Sequence, residues 1–330
     1  MEFDIVICTL NRPDRLQNLL QQIFQCTTLP IKVIVVDASA IDNDSLRSNP
    51  KIEYIRSSHQ NQPYQRYVGY LASDAEIIVF MDDDLEIVDS RIFDKLTETY
   101  GVYKPDGVSV GIQYESAISE KLNNTIDSST FLFRSINLIS GVPLLRPGRI
   151  YPAGLAGPDL KSLGEVDFFH GPFMSFKRDI MGEAFDPCLF TLYEMKLGKG
   201  EDKALSMKIG LSGKIIYVPD LYLKHPPVES HYFKNPKNYS KRLSYSRFFL
   251  SKVYAESRKY PTWIFSMHYI YFMIWRILLA SGRFLWKGNR TQYDLLKGMI
   301  IGFWLALTTN PCRSNTLDWY HKATMDAKSN

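Results

Sequence analysis

The chain has 330 residues, 45% hydrophobic and 22% charged, which excludes disordered, collagenous and coiled-coil architectures and suffices for one large domain with an appendage. Its net charge of +4 hides an asymmetry: residues 231–330 carry 16 Lys/Arg against 4 Asp/Glu, and residues 1–230 carry 23 against 31. A polyanion-binding face and a membrane-surface face both produce such a split. Cys8, Cys26, Cys188 and Cys312 lie far apart with no CxxC pair. That suggests neither a disulfide framework nor a thiolate zinc site, and it fits a reducing cytoplasm. The start, MEFDIVICTL, has two acids and no basic run ahead of its apolar stretch, unlike a secretory signal.

The run FDIVICT (3–9) reads as a strand, and LxxLLxxIF from Leu16 to Phe24 has the i, i+3, i+4, i+7 spacing of an amphipathic helix. Asn11 is the expected N-cap, with Pro13 in the first turn, where a missing N–H costs nothing. The β-branched run IKVIVVDAS (31–39) reads as a strand buried on both faces and ending at Asp37. A helix around Tyr64–Ala72 leads to AEIIVFMDDD (75–84), a strand closing on three carboxylates. This rhythm predicts an open α/β sheet with right-handed crossovers. Ligands of such sheets collect beyond the carboxyl ends of the strands, where Thr9, Asp37 and Asp82–Asp84 fall. Residues 101–165 read as irregular connections with short strands. From Val166, VDFFHGPFMSFKRDIM predicts a strand entering a helix; a second helix starts near Asp202, a strand follows, and Pro219–Pro227 closes the region.

Beyond residue 231 the chain turns basic and aromatic. Sixteen residues between Lys259 and Arg276 and fifteen between Lys297 and Arg313 carry no formal charge. A bilayer span needs about 20 apolar residues, so both predict interfacial or re-entrant segments. Trp263, Tyr269, Tyr271, Trp275, Trp286 and Trp304, interleaved with Arg and Lys, have the makeup of an interface belt. Nucleic-acid faces do not need runs such as FMIWRILLA, which argues against a nucleic-acid partner. Helices packed on the rest of the chain or on a second copy remain open, as does a homo-oligomer.

Three adjacent carboxylates after a buried strand repel one another, and a divalent cation sharing them with a nucleoside diphosphate relieves that repulsion. An acidic loop capping the next helix is the competing reading. The first turn, CTLNRP, has neither GxGxxG nor GxxxxGK[ST], which removes the main support for hydride transfer and P-loop phosphoryl transfer.

The order ICTLNR, IVVDAS, RYVG, FMDDD, HGPFMSFKR, FDP, GEDKALSMKIGLSGK and YVPDLYLKH resembles the family 2 glycosyltransferases over about residues 3–226. The resemblance implies a GT-A fold: a Rossmann-like mixed α/β sheet flanked by helices. It implies a catalytic domain at 1–230, with the nucleotide part about 1–100 and the acceptor part about 101–230, and a helical membrane-associating tail at 231–330. It implies inverting transfer from a nucleotide-sugar donor to a glycan or lipid-linked acceptor, with Mn²⁺ or Mg²⁺. Carried over residue by residue, it puts Thr9, Asp37, Arg66, Asp82 and Asp83 at the donor nucleotide sugar. Asp84, Asp82 and His225 fall at the metal, and His170 and Gly171 at the donor-sugar or acceptor pocket. Asp202 is the implied general base, with Glu201 beside it. Ala38 stands where an acid is common, leaving the nucleotide open. The implied location is the cytoplasmic face of the cell membrane, peripheral or monotopic, with the tail on an anionic surface. Sugar-phosphate nucleotidyl transfer and a non-catalytic glycan-binding protein of the same fold are the alternatives.

Overall fold

The computed structural model describes residues 1–114, 135, 137–142, 144–181, 184–210, 213–226, 235–313 and 316–328. Pro227 and the boundary expected at residue 230 lie outside them.

Strand β1 (Phe3–Thr9) leads through α1 (Pro13–Phe24) to β2 (Val33–Asp37), then α2 (Asp44–Arg47), β3 (Ile52–Arg56), α3 (Gln62–Ala72) and β4 (Ile77–Asp82). These strands are parallel, in the order β3-β2-β1-β4. Side chains alternate across the sheet, so Val6, Ile34 and Val36 join one apolar core while Ile5, Ile7, Val33 and Val35 join the other. Leu16, Leu19, Leu20 and Ile23 form the buried stripe of α1. Asn11 does not cap α1: it lies in the left-handed region (φ 54°), and the preceding position of the helix is Arg12. Instead Asn11 accepts from Ala40 N at 3.2 Å and donates its own N–H to Ser39 Oγ at 2.7 Å, tying the β1 turn to the β2 turn. Gly69 lets α3 lie directly on β1, since a Cβ there would fall 2.2 Å from Val6 Cγ1.

After β5 (Glu86–Ile87) and α4 (Ile92–Tyr103), β6 (Gly107–Tyr114) extends the sheet. Short strands β7 (Ile150–Tyr151), β8 (Leu155–Ala156) and β9 (Gly164–Val166) precede β10 (Phe173–Lys177), which enters α5 (Arg178–Met181). Helices α6 (Pro187–Glu194) and α7 (Glu201–Ile209) come before the long strand β11 (Ile215–His225). β10 pairs antiparallel with both β4 and β6, and β11 runs parallel to β6, so the sheet is mixed.

Among the described residues four further α-helices follow: α8 (Pro236–Ser257), α9 (Thr262–Lys287), α10 (Arg290–Thr308) and α11 (Thr316–Ala327). α10 meets α8 through glycines; a Cβ at Gly298 would fall 2.0 Å from Lys237 O and one at Gly302 2.3 Å from Lys241 O. α11 returns to the sheet domain, with Trp319 Nε1 donating to Thr191 Oγ1 (3.0 Å) and Tyr320 OH to Phe185 O (2.8 Å). That return brings Cys312 to Cys188 in α6, and the two form a disulfide across 124 residues. The expectation of no disulfide is corrected here, because sequence spacing cannot register a contact made by a returning helix.

The first uncharged stretch, sixteen residues long, lies almost wholly within a longer helix than its length predicts. α9 is a single helix of 26 residues, about 39 Å long. It continues through Arg276, whose guanidinium lies 6.0 Å from the centre of the Phe272 ring. Among the described residues it is the one helix long and apolar enough to cross a membrane, by length and composition only.

Candidate active site

Register sets the site. Thr9 is paired with Asp37 and Cys8 with Asp82, so β2, β1 and β4 end on one edge, where such sheets leave their carboxyl ends for ligands. Gln65 joins two of these ends, donating from Nε2 to Thr9 O (3.0 Å) and Val36 O (2.8 Å). Because β10 runs the other way, His170 and Gly171 reach the same edge just before it, and Pro172 O accepts from Asp82 N at 2.9 Å. His225, ending β11, is in register with Tyr114.

The three carboxylates have different partners. Asp82 Oδ1 accepts from Arg66 Nη2 and Gln62 Nε2, both at 2.9 Å. Asp83 is buried between Thr9 Oγ1 (2.8 Å) and Arg12 Nη1 (3.0 Å). Asp84 Oδ2 accepts from Arg12 Nη1 at 2.9 Å with Arg15 Nη1 3.6 Å away, and its Oδ1 is 3.4 Å from His225 Nε2. Burial pushes the Asp82 carboxyl up to about 6 despite Arg66, with the neighbouring acids adding to the rise. Burial likewise raises Asp83, opposed by Thr9 and Arg12.

Arg66 connects the two acidic motifs. Its side chain is almost completely buried, and besides Asp82 it donates from Nη2 to Gly171 O (2.7 Å) and from Nη1 to Glu201 Oε1 (3.1 Å). Glu201 Oε2 also accepts from Tyr193 OH. Asp202, on the next residue of α7, lies over Gly171: a Cβ there would be 3.4 Å from Asp202 Oδ2. Burial first, and then the like charge of Glu201, raise the Asp202 carboxyl above its ordinary value. His170 Nε2 is 3.1 Å from Asp159 Oδ1, at the rim beside Gly171.

Asp37 is held at the outer end. Its Oδ1 accepts from Ser39 N (2.7 Å), its Oδ2 from Tyr54 OH (2.8 Å), and Arg56 Nη1 is 3.6 Å away. A carboxylate oxygen can accept more than one hydrogen bond, so acceptor capacity toward a base remains. A cavity of about 500 Å³ between β9, the end of α7 and α8 is lined by Arg149, Asp167, Tyr254 and Arg258 and by none of the site residues above.

Among the described residues no group of three His, Cys, Asp or Glu side chains forms a ready metal cluster. Asp84 and His225 offer one hard oxygen donor and one imidazole nitrogen, which fits a cation such as Mg²⁺ or Mn²⁺ completed by phosphate oxygens. Such an ion and Arg12 would compete for Asp84 Oδ2. Asp82 is directed to Arg66 and Gln62 instead.

Sequence reasoning missed Arg12, Arg15, Gln62, Gln65, Tyr54 and Tyr193. Arg12 in the turn after β1 and Arg15 in the first turn of α1, opposite an acidic turn after β4, were a usable charge signal. The others depend on tertiary contact and left none.

The glycosyl transferase family 2 model matches residues 4–183, more than half of the chain; Glu201, Asp202 and His225 lie beyond the match. No curated protein sequence matches. Among solved structures, the fold is similar to S. aureus TarS 1–349 in complex with UDP-GlcNAc, at 12% identity and TM-score 0.55, covering 99% of this chain and 89% of that one. A weaker similarity is to the mannosyltransferase PcManGT from Pyrobaculum calidifontis in complex with GDP-Man and Mn²⁺, at 14% identity and TM-score 0.48, covering 93% and 87%. At such identity the TarS likeness carries the GT-A fold alone. The family match supplies the chemistry: this chain belongs to glycosyl transferase family 2 and is a glycosyltransferase.

Proposed function

We propose that the chain catalyses inverting, metal-assisted transfer of a sugar from a nucleoside diphosphate to a glycan or lipid-linked acceptor at an anionic membrane surface. The observation that carries the reading is the Arg66 bridge: one buried guanidinium holds Asp82 at one end and Glu201 at the other. The two acidic motifs therefore stand on either side of one side chain. In the proposed division, residues 1–230 form the catalytic part, about 1–100 for the nucleotide and 101–230 for the acceptor, and 231–330 the membrane-associating tail.

In an inverting transfer the acceptor hydroxyl attacks opposite the departing diphosphate, so a base is needed on the acceptor side. Asp202, with a raised carboxyl pKa, accepts that proton. Glu201 is paired with Arg66, accepts from Tyr193 OH and orients the start of α7. Thr9 and Asp37 hold the ribose and base, Asp82 and Asp83 order the diphosphate edge through Arg66 and Arg12, and His170 and Gly171 border the sugar. Asp84, with His225, would hold Mg²⁺ or Mn²⁺, which as a Lewis acid stabilises charge on the leaving diphosphate. TarS binds UDP-GlcNAc and PcManGT binds GDP-Man; both nucleotides belong in the donor screen.

Calorimetry with a panel of nucleotide sugars, with and without Mn²⁺, tests the donor and metal parts. Mn²⁺ is expected to tighten donor binding at least tenfold in wild type, and Asp84→Asn to abolish that gain. Equal binding with and without the metal in wild type would overturn metal assistance.

The membrane part rests on α9 and α10, which expose Trp263, Met267, Leu278, Leu285, Trp286 and Trp304 next to Arg283, Lys287, Arg290 and Lys297. Apolar residues flanked by cations suit the anionic lipids of a cytoplasmic leaflet. Full-length protein should float with vesicles containing phosphatidylserine, less so at high salt. Leu285→Ser with Trp286→Ser, at side chains 81% and 90% exposed, should cut flotation severalfold while leaving the melting temperature unchanged. Undiminished flotation of that variant would refute the surface.

A further inference from the structure

Helix α8 grips the loop that presents the Glu201–Asp202 pair. Arg242 donates from Nε (3.1 Å) and Nη2 (2.7 Å) to Gly198 O, and Ser246 Oγ donates to the buried Leu197 O at 2.9 Å. One turn on, Leu250 packs where Gly200 turns into α7; a Cβ on Gly200 would fall 3.2 Å from Leu250 Cδ1. Gly200 has φ +82°, a conformation that L side chains rarely adopt, so the turn into α7 is constrained from both the backbone and the helix. The Arg242 guanidinium also lies 5.8 Å from the centre of the Tyr193 ring, the same tyrosine that donates to Glu201. A Cβ on Gly198 would strike that ring at 2.2 Å.

Residues 242, 246 and 250 form an i, i+4, i+8 row, and the residues that receive α10, Ser240 and Ser244, lie on the roughly opposite face of α8. Tyr269 of α9 also donates to Ser244 O at 2.9 Å. The tail is thus more than an attachment device: its first helix buttresses the catalytic loop on one face and carries α9 and α10 on the other.

We propose that Arg242 is a positioning residue for sugar transfer, acting through Gly198 O and Tyr193 to fix where α7 begins and so where the Asp202 carboxylate stands. This rests on Asp202 as the base. A displacement of about 1 Å in a catalytic group can cost on the order of 100-fold in rate, and Arg242 lies outside the strand-end edge where the nucleotide is expected. A positioning role therefore predicts a loss confined to turnover.

The test uses the full chain with its active donor and acceptor. In Arg242→Ala, kcat should fall about 10- to 100-fold while donor affinity by calorimetry stays within about twofold. Arg242→Lys should recover most of the rate, because one carbonyl needs one donor and a cation still reaches the Tyr193 ring. If Arg242→Ala does not fold, Arg242→Lys and Ser246→Ala carry the comparison, with Ser246→Ala expected to lower kcat without weakening the donor. An unchanged kcat in Arg242→Ala overturns the proposal. So does a parallel loss of kcat, donor affinity and melting temperature that Lys fails to rescue. Asp202→Asn measured alongside separates the two readings: full turnover there removes the base assignment, whereas an inactive Asp202→Asn beside a fully active Arg242→Ala removes this proposal alone.

Discussion

Asp202→Asn should lower kcat for transfer by about 10²- to 10⁴-fold, the usual contribution of a positioned general base, with donor affinity changed by no more than about twofold. Asn keeps the shape of the side chain over Gly171, and the backbone carbonyl that accepts from Ser206 Oγ at 2.6 Å is untouched. Only basicity is removed. The wild-type pH profile supplies an independent readout. Burial and the neighbouring Glu201 raise the Asp202 carboxyl pKa, and a base works only when deprotonated. The rate must therefore fall as pH drops through that raised value, so the acid limb lies above the ordinary carboxylate range and disappears in Asp202→Asn. Turnover of Asp202→Asn at the wild-type rate, with the acid limb in place, would rule out this residue as the base.

The parallel half of the fold was readable because its signals are local. The β-branched run ending at Asp37 and the apolar run ending at Asp82 are strands whose register with β1 is set by burial on both faces, and the heptad-like spacing of Leu16–Ile23 needs no partner to be recognised. The antiparallel insertion of β10 gave no such sign: FMSFK reads as a strand in either direction. Direction matters, since it delivers His170 and Gly171, rather than Lys177, to the edge. Asn11 was misread because a left-handed Asn in a turn and an N-cap Asn look alike in sequence. The partners of the acids were hidden for a related reason. Tyr54 to Asp37, Arg12 to Asp83 and Asp84, and Tyr193 to Glu201 are contacts between elements, and spacing along the chain carries no trace of them. The return of α11, with the Cys188–Cys312 disulfide it permits, lies further still beyond any local pattern.

Arg66→Met should be the most destabilising single change at the site, by about 3–5 kcal/mol, because removing one partner of a buried ion pair strands the others. Three acceptors lose a donor at once: Asp82 Oδ1, Glu201 Oε1 and Gly171 O. Met fills the space against Phe80, whose ring centre lies 5.8 Å from the guanidinium carbon, so packing loss is small and the deficit is electrostatic. That assignment fixes its pH dependence. With Arg66 present the Asp82 carboxyl already stands at about 6 against an ordinary 3.8, and losing the cation raises it further. For an acid whose folded pKa exceeds its unfolded one, the folded state binds more protons between the two values. Stability then falls as pH rises through that window, and no penalty remains below it. The deficit of Arg66→Met, read from urea unfolding, should accordingly be largest near pH 8 and shrink toward pH 5 as Asp82 protonates. Arg66→Lys should recover only part of it, since an ammonium cannot present the planar fork that reaches Asp82 and Glu201 on separate nitrogens. A deficit below about 1 kcal/mol, or one independent of pH, would mean that Arg66 fills space and that the two acidic motifs are held together by something else.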